Sequence, residues 1–135
     1  MSGEDVEAFK GIARAAERGK LDFLFVGDSV VCDVDDHPGS VARFEPITLH
    51  AALSQYTTHL GFVGTASSTF NEPFSVARQF ASLDHLCGGR SGWNVVTTSS
   101  DDAAANFGRS LPEHALRYEI AAEFVETVQA LWDSW

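Results

Sequence analysis

Hydroxyl and carboxylate side chains follow each of three short apolar runs in this sequence. Asp28 comes directly after "LDFLFVG", and residues 97–100 follow "GWNVV". Thr65 and Ser67 lie at the end of "LGFVGTAS", and Ser68 follows it. Such groups suit hydrogen bonding to a polar, neutral-to-anionic heterocycle better than metal binding, which requires a tighter set of His, Asp or Glu. No metal site is therefore predicted. The alternative is that each residue only caps the helix that follows it.

A second candidate pair lies near the start of the last predicted helix. His114 and Tyr118 are four residues apart, so they share one helical face. The pair could face the same edge as the strand-end residues, or it could be a solvated histidine beside a half-buried tyrosine. No nucleophile is paired with a base anywhere in the sequence, so the catalytic residues stay unknown.

The common cofactor and nucleophile motifs are missing from the sequence. It contains no G-x-G-x-x-G after a strand, no G-x-x-x-x-G-K-[ST], no H-E-x-x-H and no G-x-S-x-G. The glycine-rich "GGRSGW" precedes a strand, which favours a tight helix-to-strand connection. Cys32 and Cys87 lie far apart in no metal-ligand spacing, so both are expected to be reduced thiols.

Helices and strands alternate along the predicted chain. Helices are expected at residues 6–19, 46–58 and 73–86 and from about residue 112, and strands at residues 21–27, 60–67 and 92–98. A capping box from Ser2 to Asp5 opens the first helix, first-turn prolines open the next two, and Asn71 caps the third. Gly19 ends the first helix and Gly88 with Gly89 ends the third.

Burial is predicted from the spacing of the apolar residues. The first strand is nearly all apolar, as expected for a strand buried on both faces. The second helix should bury Ile47, Leu53 and Tyr56 or their neighbours. The buried stripe of the last helix is predicted to comprise Leu116, Ile120, Phe124, Val128 and Leu131.

Composition limits the class of protein. With 135 residues, of which 44% are hydrophobic, the chain is expected to form one domain with a real core. Its formal net charge of −10 and the absence of a basic cluster argue against nucleic acid as a partner. No signal-like or membrane-spanning run occurs, so no membrane partner is expected and the predicted location is cytoplasmic.

The fold predicted from this order is α/β. Short linkers between alternating elements favour parallel strands joined by right-handed crossovers. About three parallel strands should alternate with four or five helices. Parallel sheets place chemistry just beyond the carboxyl ends of their strands, so Asp28, Thr65 and the hydroxyls after the third strand are expected to converge at one edge.

Several longer stretches resemble a known family. They are "RFEPITLHAAL", "TASSTFNEPFSVARQFASLDHLCGGRSGWNVVTTS", "NFGR" and "RYEIAAEFVETVQALWDSW". The chain is similar to flavin-dependent monooxygenases of the bacterial luciferase-like superfamily, in the branch that contains nitrilotriacetate monooxygenase component A and dibenzothiophene-sulfone monooxygenase. Members use reduced FMN from a separate NAD(P)H:flavin reductase, and with O2 they insert one oxygen atom into a small organic substrate.

The resemblance implies roles for six residues as contacts of the cofactor. Asp28 in "FVGDS" matches the acidic residue after a "FLAD"-like strand, with Gly27 where alanine is usual. Thr65 matches the threonine of an "ATAST"-like strand end. The others are Asn94 and Thr98 in "WNVVTT" and His114 and Tyr118 in "PEHALRY". Substrates implied by this branch include aminopolycarboxylates and organosulfur compounds.

The resemblance also implies a partial TIM (β/α)8 barrel. Such a barrel takes about 250 residues and eight strands, so residues 1–135 are expected to be a truncated barrel domain without its first strand and C-terminal half. The segment from Asp28 to Arg43 is shorter than its family counterpart. Three possibilities stay open: a fragment with impaired activity, one part of a split barrel that associates with itself or a homologue, or a non-enzymatic α/β domain. A flavodoxin-like carrier is disfavoured, because no phosphate loop follows a first strand.

Overall fold

A computed structural model describes residues 5–31 and 44–134 of the chain. The helices are α1 (Val6–Arg18), α2 (Pro46–Leu53), α3 (Pro73–Cys87), α4 (Asp101–Asn106) and α5 (His114–Asp133), and the strands are β1 (Phe23–Val26), β2 (Gly61–Ser67) and β3 (Ser91–Val96). A 3-10 turn, Ser54–Tyr56, follows α2. Among the described residues, no helix combines the length and apolar character needed to cross a bilayer.

The three strands form one parallel sheet in the order β1-β2-β3. Phe23 is paired with Gly61, and Thr65 is paired with Asn94. The prediction of three parallel strands and four or five helices is confirmed, and the helices that join the strands lie on one face of the sheet. Three parallel strands with helices along one face are the arrangement found in part of a (β/α)8 barrel.

The hydrophobic core lies between the sheet and helices α1, α2, α3 and α5. Phe62 of β2 is fully buried at the centre of this core, where it packs with buried apolar residues of the surrounding helices. Trp93 of β3 extends this cluster, with its ring centroid 5.8 Å from that of Phe80 and 5.9 Å from that of Phe124. The helical residues of the core include Ala13, Leu53, Val76, Leu83 and Val128.

The other face of the sheet carries no helix in the described structure. Phe23 and Phe25 point to this face, which we call the inner face, and they are 54% and 50% exposed. The prediction that the first strand is buried on both faces is therefore wrong. An apolar run fixes neither which face is covered nor by what, because alternate residues point to opposite faces.

The element ends differ from the predictions in several places. Asp5 itself caps α1 by accepting hydrogen bonds from the backbone N–H groups of Glu7 and Ala8, and Ser2 lies outside the described residues. Glu72, not Asn71, occupies the N-cap position of α3. The Asn71 amide instead donates to the backbone carbonyl of Ser67 across 2.8 Å. A side chain expected to cap a helix therefore binds the last residue of β2.

Two further differences concern the second and last helices. Helix α2 stops at Leu53 rather than near residue 58, and Tyr56 is 38% exposed with the Lys10 ammonium 4.6 Å from its ring centroid. In α5, Leu116 is 47% exposed, whereas Arg117 is buried. The expected stripe is thus shifted at the start of the helix, where His114, Arg117 and Tyr118 line a pocket instead of packing in the core. Helix α4 was not predicted from the acidic segment that forms it.

Arg90 directly precedes β3 and forms hydrogen bonds with the ends of several elements at the amino ends of the strands. Its guanidinium donates to the backbone carbonyls of Cys87, Leu60, Ser54 and Thr57 and to the hydroxyl of Thr57. It also lies 5.5 Å from the ring centroid of Phe62. The planar fork of an arginine can serve several carbonyls at once, which an ammonium group cannot.

We expect Arg90→Lys to lower the free energy of unfolding by about 2 kcal/mol, because several half-buried carbonyls lose a charged donor. The matched control is Arg18→Lys at the exposed end of α1, which should change stability by less than about 0.5 kcal/mol. Urea unfolding measures both. Equal effects of the two substitutions would contradict a structural role for the Arg90 network.

His50 is a buried histidine between α2 and β2. It is 0% exposed, and its ring centroid lies 5.3 Å from that of Phe62. Within the part of the chain that the structure describes, neither ring nitrogen has a hydrogen-bond partner. Burial lowers the pKa of His50 from 6.5 to about 4, against a smaller opposing effect of Glu45. The folded state therefore requires the neutral imidazole, whereas the unfolded chain binds a proton at higher pH.

This difference makes stability depend on pH. The contribution of neutral His50 is fully present above pH 6.5 and is lost as the pH falls toward about 4. Between pH 7 and pH 5 we expect the free energy of unfolding to fall by about 2 kcal/mol. Glu17 titrates below this pH range, because backbone hydrogen bonds from His59 and Thr58 lower its pKa from 4.5. His50→Leu should flatten the profile in urea unfolding, while His85→Leu at an exposed position of α3 should not. An unchanged profile in the His50 variant would contradict this origin.

Candidate functional site

A pocket of about 660 Å³ lies at the carboxyl ends of the three strands. Five of the six residues predicted to contact a ligand line it, and they come from β2, from α5 and from the segments that follow β1 and β3. The sixth, Asn94, lies beside it on the inner face. The five lining residues are Asp28, Thr65, Thr98, His114 and Tyr118.

The segment after β1 forms one wall of the pocket. Asp28 is half-buried, and one of its carboxylate oxygens accepts a hydrogen bond from the backbone N–H of Ser29 across 2.8 Å. Two residues later, the backbone carbonyl of Val30 accepts a hydrogen bond from the Asn106 amide across 2.9 Å. Helix α4 thereby fixes the position of this wall, although the two segments are far apart in sequence.

Thr65 connects all three strands on the inner face. Its hydroxyl donates to the backbone carbonyl of Val26 across 3.1 Å and accepts a hydrogen bond from the Asn94 amide across 3.0 Å. Thr65 is 4% exposed, so this hydroxyl proton is already committed within the sheet. Asn94 keeps its carbonyl oxygen and one N–H beyond the bond to Thr65, since an amide has two donors and two acceptor lone pairs. A direct role of Thr65 or Asn94 in binding a cofactor stays a prediction.

A dense set of hydroxyls joins the ends of β2 and β3. The Ser67 oxygen accepts hydrogen bonds from the Thr98 hydroxyl across 2.7 Å and from the backbone N–H of Thr69 across 3.1 Å. The Thr69 hydroxyl donates to the carbonyl of Thr97 across 2.7 Å, and the Ser68 hydroxyl donates to that of Val96 across 3.2 Å. Of the hydroxyls after β3, only that of Ser100 caps the next helix, α4, by accepting from Ala103. The capping alternative therefore holds for Ser100 but not for Thr98.

The first turn of α5 contributes the predicted aromatic pair and a residue that the sequence analysis missed. The rings of His114 and Tyr118 lie 5.0 Å apart, which confirms that they share a helical face, and Tyr118 is 58% exposed. Arg117 also lines the pocket but is only 8% exposed. One of its terminal nitrogens donates to the carbonyl of Pro112 across 3.3 Å, and its Nε has no hydrogen-bond partner among residues 5–31 and 44–134. The sequence signal that could have identified Arg117 is its spacing of three residues from His114, because residues three apart also share a helical face.

The pocket lining combines the buried guanidinium of Arg117 with the carboxylates of Asp28 and Glu45. Arginine stays protonated in proteins, and a buried guanidinium nitrogen without a partner carries a desolvation cost that an oxyanion would offset. The hydroxyl groups and backbone around it supply directional hydrogen bonds. Within residues 5–31 and 44–134, no three His, Cys, Asp or Glu side chains are placed to hold a metal ion.

Parallel α/β sheets bind ligands beyond the carboxyl ends of their strands, and the described sheet has a polar pocket at that place. The chain belongs to the luciferase-like monooxygenase family, whose sequence profile matches residues 1–134. The family expected from the sequence is thereby confirmed.

Individual relatives resemble the chain over nearly its whole length. N-acetyl-S-(2-succino)cysteine monooxygenase of Bacillus subtilis (strain 168) is 56% identical over 97% of this chain and 30% of its own. The EDTA monooxygenase structure from Chelativorans sp. BNC1 has a TM-score of 0.90 at 40% identity, covering 95% of this chain and 31% of that one. A riboflavin lyase solved with modified FMN and riboflavin has a TM-score of 0.88 at 40% identity, covering 96% and 31%. The chain thus spans about a third of the length of these relatives.

We expect Thr65→Val to destabilise the chain by roughly 1–3 kcal/mol, because the nearly isosteric change leaves the Val26 carbonyl and the Asn94 amide without their partner. Thr65→Ser keeps the hydroxyl and is the control, with a loss of less than about 1.5 kcal/mol from the missing methyl group. Urea unfolding of the two variants tests this. If the serine variant loses as much as the valine variant, the methyl group rather than the hydrogen bonds stabilises this site.

Proposed function

We propose that this chain provides part of the FMN site of a flavin-dependent monooxygenase and that FMN occupies the strand-end pocket. The observation that supports the proposal most directly is the buried, incompletely partnered guanidinium of Arg117 beside His114 and Tyr118. FMN ends in a phosphate, and Arg117 on the first turn of α5 offers the charge and the N–H donors that a phosphate binds. The residues present therefore fit this cofactor.

The remaining lining residues suit the other parts of the flavin. Asp28 and Thr98 present an acceptor and a hydroxyl to the pocket, and the isoalloxazine ring carries both donors and acceptors on its polar edge. Tyr118 offers an exposed aromatic ring for packing. We assign binding and orientation to these side chains, and no catalytic acid or base to any of them.

The bound cofactor supplies the redox chemistry, the reaction of reduced flavin with O2 that delivers one oxygen atom to the substrate. What the chain contributes is a pocket in which hydroxyl protons are already committed to protein acceptors. The Thr65 hydroxyl donates to the Val26 carbonyl and the Thr98 hydroxyl donates to Ser67. Neither hydroxyl proton is therefore available to the ring or to a water molecule beside it. Reduced FMN would come from a separate flavin reductase.

We propose a small carboxylate-bearing substrate, with the oxygen delivered to a sulfur atom or to a carbon beside nitrogen. The named substrates of the two monooxygenases above are a succinylated cysteine thioether and EDTA, and both carry several carboxylates. Residues 1–135 would then form a portion of the barrel domain, and the remainder of the substrate pocket would come from other strands of a complete barrel.

A second candidate function is association rather than catalysis. The half-exposed Phe23 and Phe25 on the inner face favour it, because an apolar sheet face of this kind is normally covered. On this alternative the chain pairs with another copy or a larger homologue and binds no flavin by itself. Size-exclusion chromatography of the chain with and without FMN distinguishes the two functions.

The test is titration of the chain with FMN and with riboflavin, oxidised and anaerobically reduced, followed by flavin fluorescence. We expect saturable binding of one FMN per chain, weakened by Asp28→Ala and Tyr118→Ala. Arg117→Met should weaken FMN binding by roughly tenfold or more, the value of a charged hydrogen bond, and should leave riboflavin binding unchanged because riboflavin has no phosphate.

The matched control is Arg109→Met, which makes the same change of charge outside the pocket lining. Arg109 is 55% exposed and forms an ion pair with Glu72 at 3.8 Å. It should leave the affinity for both flavins as it is. Absence of flavin binding in a folded chain would refute the proposed function. An equal loss for FMN and riboflavin in Arg117→Met would refute the phosphate assignment alone.

A further inference from the structure

Thr98 has a backbone conformation that its residue type disfavours. Its φ is +39°, in the left-handed region, where glycine is the usual residue. The chain does use Gly88, Gly89 and Gly108 at positive φ, and Lys20 shares the region. Thr98 is the β-branched residue of this set, so its side chain carries the largest steric penalty.

The strain lies at the pocket and has an identifiable restraint. Thr98 follows β3 by two residues and lines the pocket together with Ser67. The two hydroxyls are 2.7 Å apart, and Ser67 itself is 5% exposed at the last position of β2, where the sheet fixes its backbone opposite Val96. A second hydrogen bond, from the backbone N–H of Thr69, holds the Ser67 oxygen in place. The strained residue is thus bonded to one whose position the sheet fixes.

We propose that Ser67 is a positioning residue of the pocket: its hydroxyl holds Thr98 in the left-handed conformation and so fixes which backbone and side-chain groups of residues 97–99 face the ligand. A strained residue persists only where its surroundings determine it, and such residues cluster at binding sites. The proposal rests on the proposed function only for the identity of the ligand, flavin. The conformational role of Ser67 belongs to the free chain.

A matched pair of substitutions at position 98 separates conformation from contact. Thr98→Gly and Thr98→Val both remove the hydroxyl, but glycine accepts a positive φ and valine does not. Where conformation matters, the glycine variant keeps a urea midpoint close to that of the parent and the valine variant has a clearly lower one. In FMN titration, the valine variant should bind about tenfold more weakly than the glycine variant, with a shifted absorption band of the bound flavin.

A double-mutant cycle then tests the part played by Ser67. Ser67→Ala should lower the midpoint more in the parent chain than in the chain that already carries Thr98→Gly, because that chain lacks the hydroxyl that bonds to Ser67 and its glycine needs no restraint at a positive φ. The control is Ser68→Ala, which removes a 2% exposed hydroxyl that donates to Val96 rather than to Thr98. Its effect should be the same in both backgrounds.

Two outcomes overturn the proposal. Equal losses in Thr98→Gly and Thr98→Val would mean that the hydroxyl of Thr98, and not its backbone conformation, matters. Equal losses from Ser67→Ala in both backgrounds would mean that Ser67 acts through another partner. The midpoints are measured without flavin, so a chain that fails to bind FMN refutes the proposed function while the cycle still decides the role of Ser67.

Discussion

Strand β2 imposes the constraint on which the rest of the structure depends. It is the strand of the described sheet that is paired along both edges, and its two faces differ in chemistry. Phe62 faces the helices and is fully buried, whereas Thr65 and Ser67 face the inner side and hold β1 and β3 through hydroxyl groups. Because side chains alternate with a period of two, a slip of one residue would place hydroxyls in the core and Phe62 on the exposed inner face. The core and the candidate site therefore share one register.

The two ends of the sheet are stabilised in different ways, and this difference separates stability from function. At the amino ends of the strands, the many donors of Arg90 are satisfied by backbone carbonyls. At the carboxyl ends, Arg117 has a buried nitrogen without a hydrogen-bond partner in the described structure, and Thr98 has a strained backbone. Unsatisfied and strained groups cost free energy, and a bound ligand would offset that cost at Arg117 and Thr98, whereas the buried imidazole of His50, also without a hydrogen-bond partner among the described residues, faces Phe62 in the core. Parallel barrels show the same division between a stability face and a functional face.

Overall charge and local charge point in opposite directions. The formal net charge is −10, yet the one pocket residue buried with an uncompensated charge in the described structure is a cation, Arg117. A surface rich in carboxylates repels anions at long range, whereas a half-enclosed guanidinium attracts them at contact distance. Selection of an anionic ligand would then depend on the geometry of the pocket and not on long-range steering.

The sequence alone determined the order of elements, the parallel sheet and the edge at which polar residues gather, because periodicity, glycines and prolines act over a few residues. It also indicated the family and five residues that line the pocket, although whether they bind flavin stays a prediction. Only the tertiary structure decided which face of β1 is covered, that Arg117 is buried while Leu116 is not, and that Ser67 bonds to Thr98. Those features depend on contacts between segments about 30 or more residues apart in sequence, such as Ser67 with Thr98 and Val30 with Asn106. Local spacing carries no information about such contacts, because burial and strain are properties of the packed chain.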